Sequence, residues 1–152
     1  MQAQKSLGVD FPAKFTKLLS KFELGNFEIC NVSFGARGDY ACELVRLNSV
    51  DEFGGKWWQG KERPANLIVF AVGDPWIFLL DCTSGAVYAW LLEDDELCSR
   101  RVANDFGKFF IALASTYIAR LNDKAMPSSQ NILNFVQADD AALSFWQEMA
   151  QI

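Results

Sequence analysis

The sequence predicts an α+β fold: a curved, mostly antiparallel β-sheet of about five to six strands, with an N-terminal helix and C-terminal helices packed on it. Three observations predict it. Phe11, Phe15, Leu18, Leu19 and Phe22 recur at helical spacing near the start, and Phe106, Phe109, Phe110, Leu113, Tyr117 and Leu121 do so later. Between them the period changes, and FEICNVSF, ACELVRL, NLIVFAV, WIFLLD and AVYAWLL read as short β-rich runs. The connections are short, which makes neighbours antiparallel because parallel pairs need long crossovers.

In order along the chain, Pro12 suits the first helical turn after Asp10, Lys14, Lys17 and Lys21 take the polar face, and Gly25 is a stop. Turns at Gly35-Ala36-Arg37-Gly38, Gly73-Asp74-Pro75 and Thr83-Ser84-Gly85 separate the strand runs. A further strand is expected from Leu97 to Val102. Asn104 then reads as the N-cap of the second long helix, with Asp105 behind it. Met126-Pro127-Ser128-Ser129 breaks that helix. Asp139 and Asp140 precede Ala142, Phe145, Trp146 and Met149 in the closing helices, 130–151, where acids favour a helix N-terminus. The length of 152 residues, 51% hydrophobic and 22% charged, predicts one globular domain over 1–152 with a sizeable core.

Composition excludes several chemistries. With no histidine, there is no Ser-His-Asp or Cys-His catalysis, no His-liganded zinc and no imidazole proton shuttle. Before Asn66 the chain has nine basic and eight acidic residues; from Asn66 onward it has five and eleven. That second half repels phosphate backbones, so no nucleic-acid partner is expected. The glycines form no dinucleotide fingerprint, P-loop or nucleophile elbow. Gly35-Ala36-Arg37-Gly38 has a G-x-x-G shape, but strand-like runs flank it where a nucleic-acid loop of that kind needs helices. Cys30, Cys42, Cys82 and Cys98 contain no C-x-x-C and read as reduced core thiols. No secretory h-region is present at the start, and the longest uncharged apolar run, near Phe109 to Ala119, is too short to span a bilayer. A cytoplasmic protein without cofactor, metal or membrane partner is expected.

Two features stand out as candidate contacts. Glu93-Asp94-Asp95-Glu96 is the densest charge; it reads either as a solvated turn or as a face for a basic partner, and its spacing lacks the convergence a metal needs. In Trp57-Trp58, one tryptophan roofs the core; two adjacent ones in a strand face opposite sides, leaving Trp58 near the surface as an interface anchor. Asp39, Trp58, Asp94, Asp95 and Glu96 are the expected partner-binding residues. Among 19 acids no catalytic pair can be nominated, so a carboxylate-based enzyme stays a distant rival.

Four weak motifs in a fixed order resemble the SUKH superfamily, which includes the yeast cell-wall assembly regulator and many bacterial immunity proteins. The helix opening Phe11-Pro12 is similar to the family's start, and the Trp57-Trp58 segment follows it. NLIVFAVGDPWIFLLDCTSGAVYAW then supplies an apolar strand, the Gly73-Asp74 turn, a strand ending in Asp81, and a hairpin into Val87-Tyr88. VANDFGKFFIAL closes the resemblance, with Phe106 and Phe110 in the matching places. It covers roughly Phe11 to Leu121. In place of the small N-G-G stretch many members carry after the first helix stands Glu23-Leu24-Gly25-Asn26. The resemblance implies that Pro12, Trp57, Gly73, Asp74, Asp81 and Phe106 are architectural. It further implies a non-enzymatic immunity protein or antitoxin that binds and neutralises a nuclease- or deaminase-like toxin. A monomer or weak homodimer is expected. The yeast branch implies a rival, a regulatory scaffold that binds several proteins.

Overall fold

The computed structural model describes residues 1–51, 57–58, 61–91 and 99–151. Among them, strands β1 (Glu28–Ile29), β2 (Val32–Ser33), β3 (Leu67–Gly73), β4 (Trp76–Asp81), β5 (Val87–Leu91) and β6 (Ser99–Ala103) form one open sheet. Its order is the chain order, and every neighbouring pair is antiparallel. Helices α1 (Gln2–Leu7), α2 (Ala13–Leu19) and α3 (Tyr40–Asn48) precede β3; α4 (Phe106–Leu121), α5 (Ser129–Val136) and α6 (Leu143–Gln151) follow β6. The expected α+β class, with terminal helices flanking an antiparallel sheet, is borne out.

Local chemistry explains the elements and the departures. FEICNVSF is two strands, not one, because Cys30 and Asn31 both take positive φ (48° and 62°) and close a two-residue hairpin. ACELVRL is helical. Asp39 caps it by accepting the Cys42 N–H at 3.1 Å, and Tyr40, Leu44 and Leu47 bury one face at i, i+4 and i+7. α2 starts one residue after Pro12 and ends at Leu19, so Phe22 falls outside it, exposed. The cap of α4 is Asp105, not Asn104: its carboxylate accepts the Lys108 N–H at 2.8 Å and pairs with Lys14 at 2.8 Å. Asn104 instead donates its side-chain amide to Gln137. Within α4, Phe106, Phe109 and Leu113 are buried as expected, but Tyr117 and Leu121 are exposed. Ser128, inside the expected breaker, caps α5 by accepting the Asn131 N–H at 3.1 Å.

The sheet buries both faces. Ile68, Phe70, Phe78, Leu80, Val87 and Ala89 face α2, α4, α5 and α6 across one cluster of interlocked aromatic rings. Val69, Ile77, Leu79 and Trp90 point the other way, onto Leu47, Trp57 and Trp58. A bulge between Val69 and Ala71 adds one residue to β3 and turns both Phe70 and Ala71 toward the helices.

Among the described residues, the stretch of β3 edge beyond β2 and the end of β6 are covered. β2 reaches only Val72 and Gly73 of β3. Along the rest, the Asn48 carboxamide accepts the Val69 N–H at 2.8 Å and donates to the Val69 carbonyl at 2.9 Å. The Tyr40 hydroxyl donates to the Phe70 carbonyl at 2.6 Å, and Arg63 donates to the carbonyls of Leu67 (2.7 Å) and Leu7 (2.6 Å). α3 is therefore a post against the edge of β3. At the far side, Trp146 Nε1 donates to the Val102 carbonyl at 3.0 Å and the Asn104 N–H to the Val136 carbonyl at 2.9 Å.

Candidate interaction surface

α1 lies against α3, and between them opens a cleft of about 480 Å³. Gln2, Ala3 and Ser6 line one wall; Arg37, Asp39, Cys42 and Arg46 are among the residues of the other. Its floor is Glu43, fully buried. Arg46 grips that carboxylate with two bonds, Nε at 3.0 Å and Nη2 at 2.5 Å, while the Ala36 N–H donates at 3.3 Å and Arg37 stands 3.9 Å away. The loop that delivers Arg37 depends on two glycines. A Cβ on Gly35, whose φ is +134°, would sit 2.7 Å from Glu43 Cγ, and one on Gly25 would collide with the Arg37 carbonyl. Glu23 ties the same loop down by accepting the N–H groups of Gly25 and Tyr40, each at 2.8 Å. Gly25 is thus a point of close backbone approach and not a helix stop.

Three ionisable groups of the cleft, Glu43, Asp39 and Cys42, are moved in unreactive directions. The Arg46 hydrogen bonds hold Glu43 below the usual carboxylate range despite its burial. Asp39 is lowered by the Cys42 N–H and then by the Cys42 thiol, which donates to it at 3.2 Å. That same bond, with the Asp39 charge, raises the Cys42 thiol and keeps it protonated. Cys42 is exposed, so the expectation of a buried thiol fails there; Cys30 is buried and Cys82 half-buried, the latter pushed up to about 11 by burial and the neighbouring Asp81.

Of the expected site residues, Asp39 and Trp58 fall among the described residues, and these two do not converge. Asp39 caps α3 on the rim of the cleft. Trp58 is buried and not at the surface. Residues 57–58 lie against the sheet face opposite the helices, where Trp58 stacks on Trp90 with centroids 6.1 Å apart and Trp57 Nε1 donates to the Leu47 carbonyl at 2.9 Å. Asp94, Asp95 and Glu96 lie outside the described residues, as do Leu97 and Cys98. The residues expected to be architectural lie outside the cleft. Pro12 occupies the N-cap position of α2, Phe106 is core, and Gly73 ends β3 opposite Val32. The Asp74 carbonyl accepts the Asn31 side chain at 2.8 Å. The Asp81 carboxylate gathers Asn66, the Thr83 N–H and the Ser84 N–H and hydroxyl at 2.8–3.3 Å, which closes the β4–β5 turn. Sequence reading missed Arg37, Glu43 and Arg46 as a group. The signal was present, since Glu43 and Arg46 at i, i+3 meet only on a helix.

Fold and cleft together define a class: an open antiparallel sheet filled on both faces, its third strand propped by a helix that also walls a surface cleft. The SMI1 / KNR4 family (SUKH-1) model matches residues 2–112, and the chain belongs to that family. The match begins in α1, earlier than Phe11, and ends inside α4. No curated protein and no solved structure matches the chain. Among the described residues no group of acids and cysteines is placed to hold a metal ion, and no helix is long and apolar enough to cross a membrane.

Proposed function

We propose that this chain is a non-enzymatic immunity protein that works in the cytoplasm, binding and neutralising a cognate bacterial toxin domain of the nuclease or deaminase kind. Family membership supports the protein-binding part of this reading. The observation that carries it is the chemistry of the α1–α3 cleft. A general acid or base needs a pKa near the working pH. Here the carboxylates move down and the thiol moves up, while an open, mixed-charge concavity of side-chain dimensions stays available to a partner. Asp39 and Arg37 on its rim are proposed contacts, with the acidic run Asp94, Asp95 and Glu96 as a second patch; Trp58 is withdrawn because it is buried. The net charge of −5 complements a basic nuclease cleft and speeds encounter with it.

Affinity capture of the tagged chain from its own cells, with mass spectrometry, tests the reading. The expected result is one stoichiometric partner bearing a nuclease- or deaminase-like domain. Arg37→Glu, at a highly exposed side chain, is expected to weaken that complex while leaving the circular dichroism unchanged. Reversal of Asp94, Asp95 and Glu96 to Lys is expected to do the same. Several substoichiometric partners make the chain a regulatory scaffold instead. An activity that vanishes when one carboxylate is neutralised overturns the non-enzymatic reading.

A further inference from the structure

The uncharged run from Phe109 to Ala119 now has a place: it is the middle of α4, and it is apolar on both sides. The inner side, with Phe109, Ala112, Leu113 and Thr116, belongs to the core. The outer side presents Ile111, Tyr117, Ile118 and Leu121, joined by Phe135 of α5; these five are between 37% and 66% exposed. A surface helix ordinarily turns a polar face to solvent, and over this run α4 turns an apolar one.

We propose that a second copy of this chain covers this face, with the two α4 helices antiparallel about a two-fold axis between Ala114 and Ser115. Two arguments select a second copy. The first is pattern. Along the outer ridge the positions read large, small, small, large (Ile111, the half-buried Ala114, Ser115, Ile118), a sequence symmetric about its midpoint. A reversed copy therefore sets Ile118 against Ile111 and Ser115 against Ala114, twice over, as an isologous contact requires. The flank of Ile111 has the recess to receive it: a groove of about 170 Å³, room for one aliphatic side chain, lined by Ile111, Ser115, Pro127, Ile132 and Phe135. The second argument is area. Large side chains offer ~150–200 Å² each when bare, so the exposed fractions leave an apolar patch on the order of 400–500 Å². A standard interface takes ~800 Å² per partner, of which ~56–65% is non-polar, so the patch supplies about what one side needs. All of it except Ile111 follows the stretch matched by the family model, and it shares no residue with the α1–α3 cleft, so its test is independent of the toxin-binding reading.

Sedimentation equilibrium of the full chain from low to high micromolar concentration tests it. Wild type is expected to approach twice 17.1 kDa. Ile111→Lys and Ile118→Glu, both at exposed positions, are each expected to sediment as monomers with unchanged circular dichroism. Mixed one to one, they are expected to associate again, because the heterodimer pairs Lys with Glu at one contact and keeps Ile with Ile at the other. A wild-type chain that stays at 17.1 kDa throughout overturns the proposal, whether or not another protein binds α4. So does a mixture that stays monomeric, or a variant that still dimerises alone.

Discussion

The two faces of the sheet are built from the same three strands and are held in different ways. On the helix side, rings from α2, β3, β4, α4 and α6 meet edge to face at 4.7–5.9 Å, and Trp146 has its indole N–H bonded to the Val102 carbonyl. On the opposite side the described cover is Leu47, Trp57 and Trp58, and the indole N–H groups of Trp58 and Trp90 are buried without a hydrogen-bond partner among the described residues. Burying such a donor unpaired costs ~1–3 kcal/mol. Among the described residues the first face is the more densely ringed by aromatics, and the second carries the two unpaired indole donors, which ranks the first as the greater contributor to stability.

The largest expected effect tests that ranking. Phe70 touches Phe15, Phe34, Phe78, Phe106 and Phe109, so Phe70→Ala opens a cavity ringed by rigid aromatics. Urea unfolding is expected to show a loss of ~3–5 kcal/mol. Leu79 lies one strand over, equally buried, on the opposite face. Leu79→Ala is expected near the low end of its class, ~2–3 kcal/mol, because fewer neighbours surround it among the described residues. Equal losses would show that the two faces form a single cooperative core and remove the distinction.

α3 joins the two faces, since Tyr40 and Leu44 belong to the helix-side cluster and Leu47 to the other. Its joint is Asn48, whose carboxamide stands in for a missing strand on Val69. Asn48→Ala leaves a buried N–H and carbonyl with no partner and is expected to cost about 2–3 kcal/mol. Hydrogen exchange at Val69 sharpens the test. Its amide is expected to lose protection while amides in the β4–β5 pair keep theirs. Uniform loss of protection would mean that α3 carries no local role at the edge.

The strands β3, β4 and β5 were legible because each is a long apolar run between turn residues, but the run also concealed something. WIFLLD is buried at every position except its final Asp81, and an unbroken apolar strand is one covered on both faces. Sequence reading found the strand and one cover, then assigned Trp58 to solvent although a second cover was needed. The cleft was illegible for a different reason. Both of its walls are helices that carry weak signals: α1 buries only Ala3, and the α3 pattern starts at Tyr40, just outside the run that was taken for a strand. The cap that settles α3, Asp39, was noticed as a charge and not as a cap. Tertiary context then decides, because β3 needs an edge partner and a helix with Asn48 and Tyr40 in the right turns supplies one.

The smallest expected effect isolates the difference between the faces most cleanly. Trp146 and Trp90 are both fully buried, and replacing either by Phe removes the same atoms and leaves a similar void. What differs is the indole N–H: Trp146 spends it on Val102 at 3.0 Å, and that bond also seals the open edge of β6. Trp146→Phe thus strips a buried carbonyl of its donor as well as making a cavity. Trp90→Phe makes the cavity but removes a donor that had no partner, so desolvation relief offsets part of the loss. Measured side by side in urea, Trp146→Phe is expected to be the more destabilising by ~1–2 kcal/mol. Should the two cost the same, the Trp90 N–H has a partner beyond the described residues, and the second face is held by polar bonds as firmly as the first.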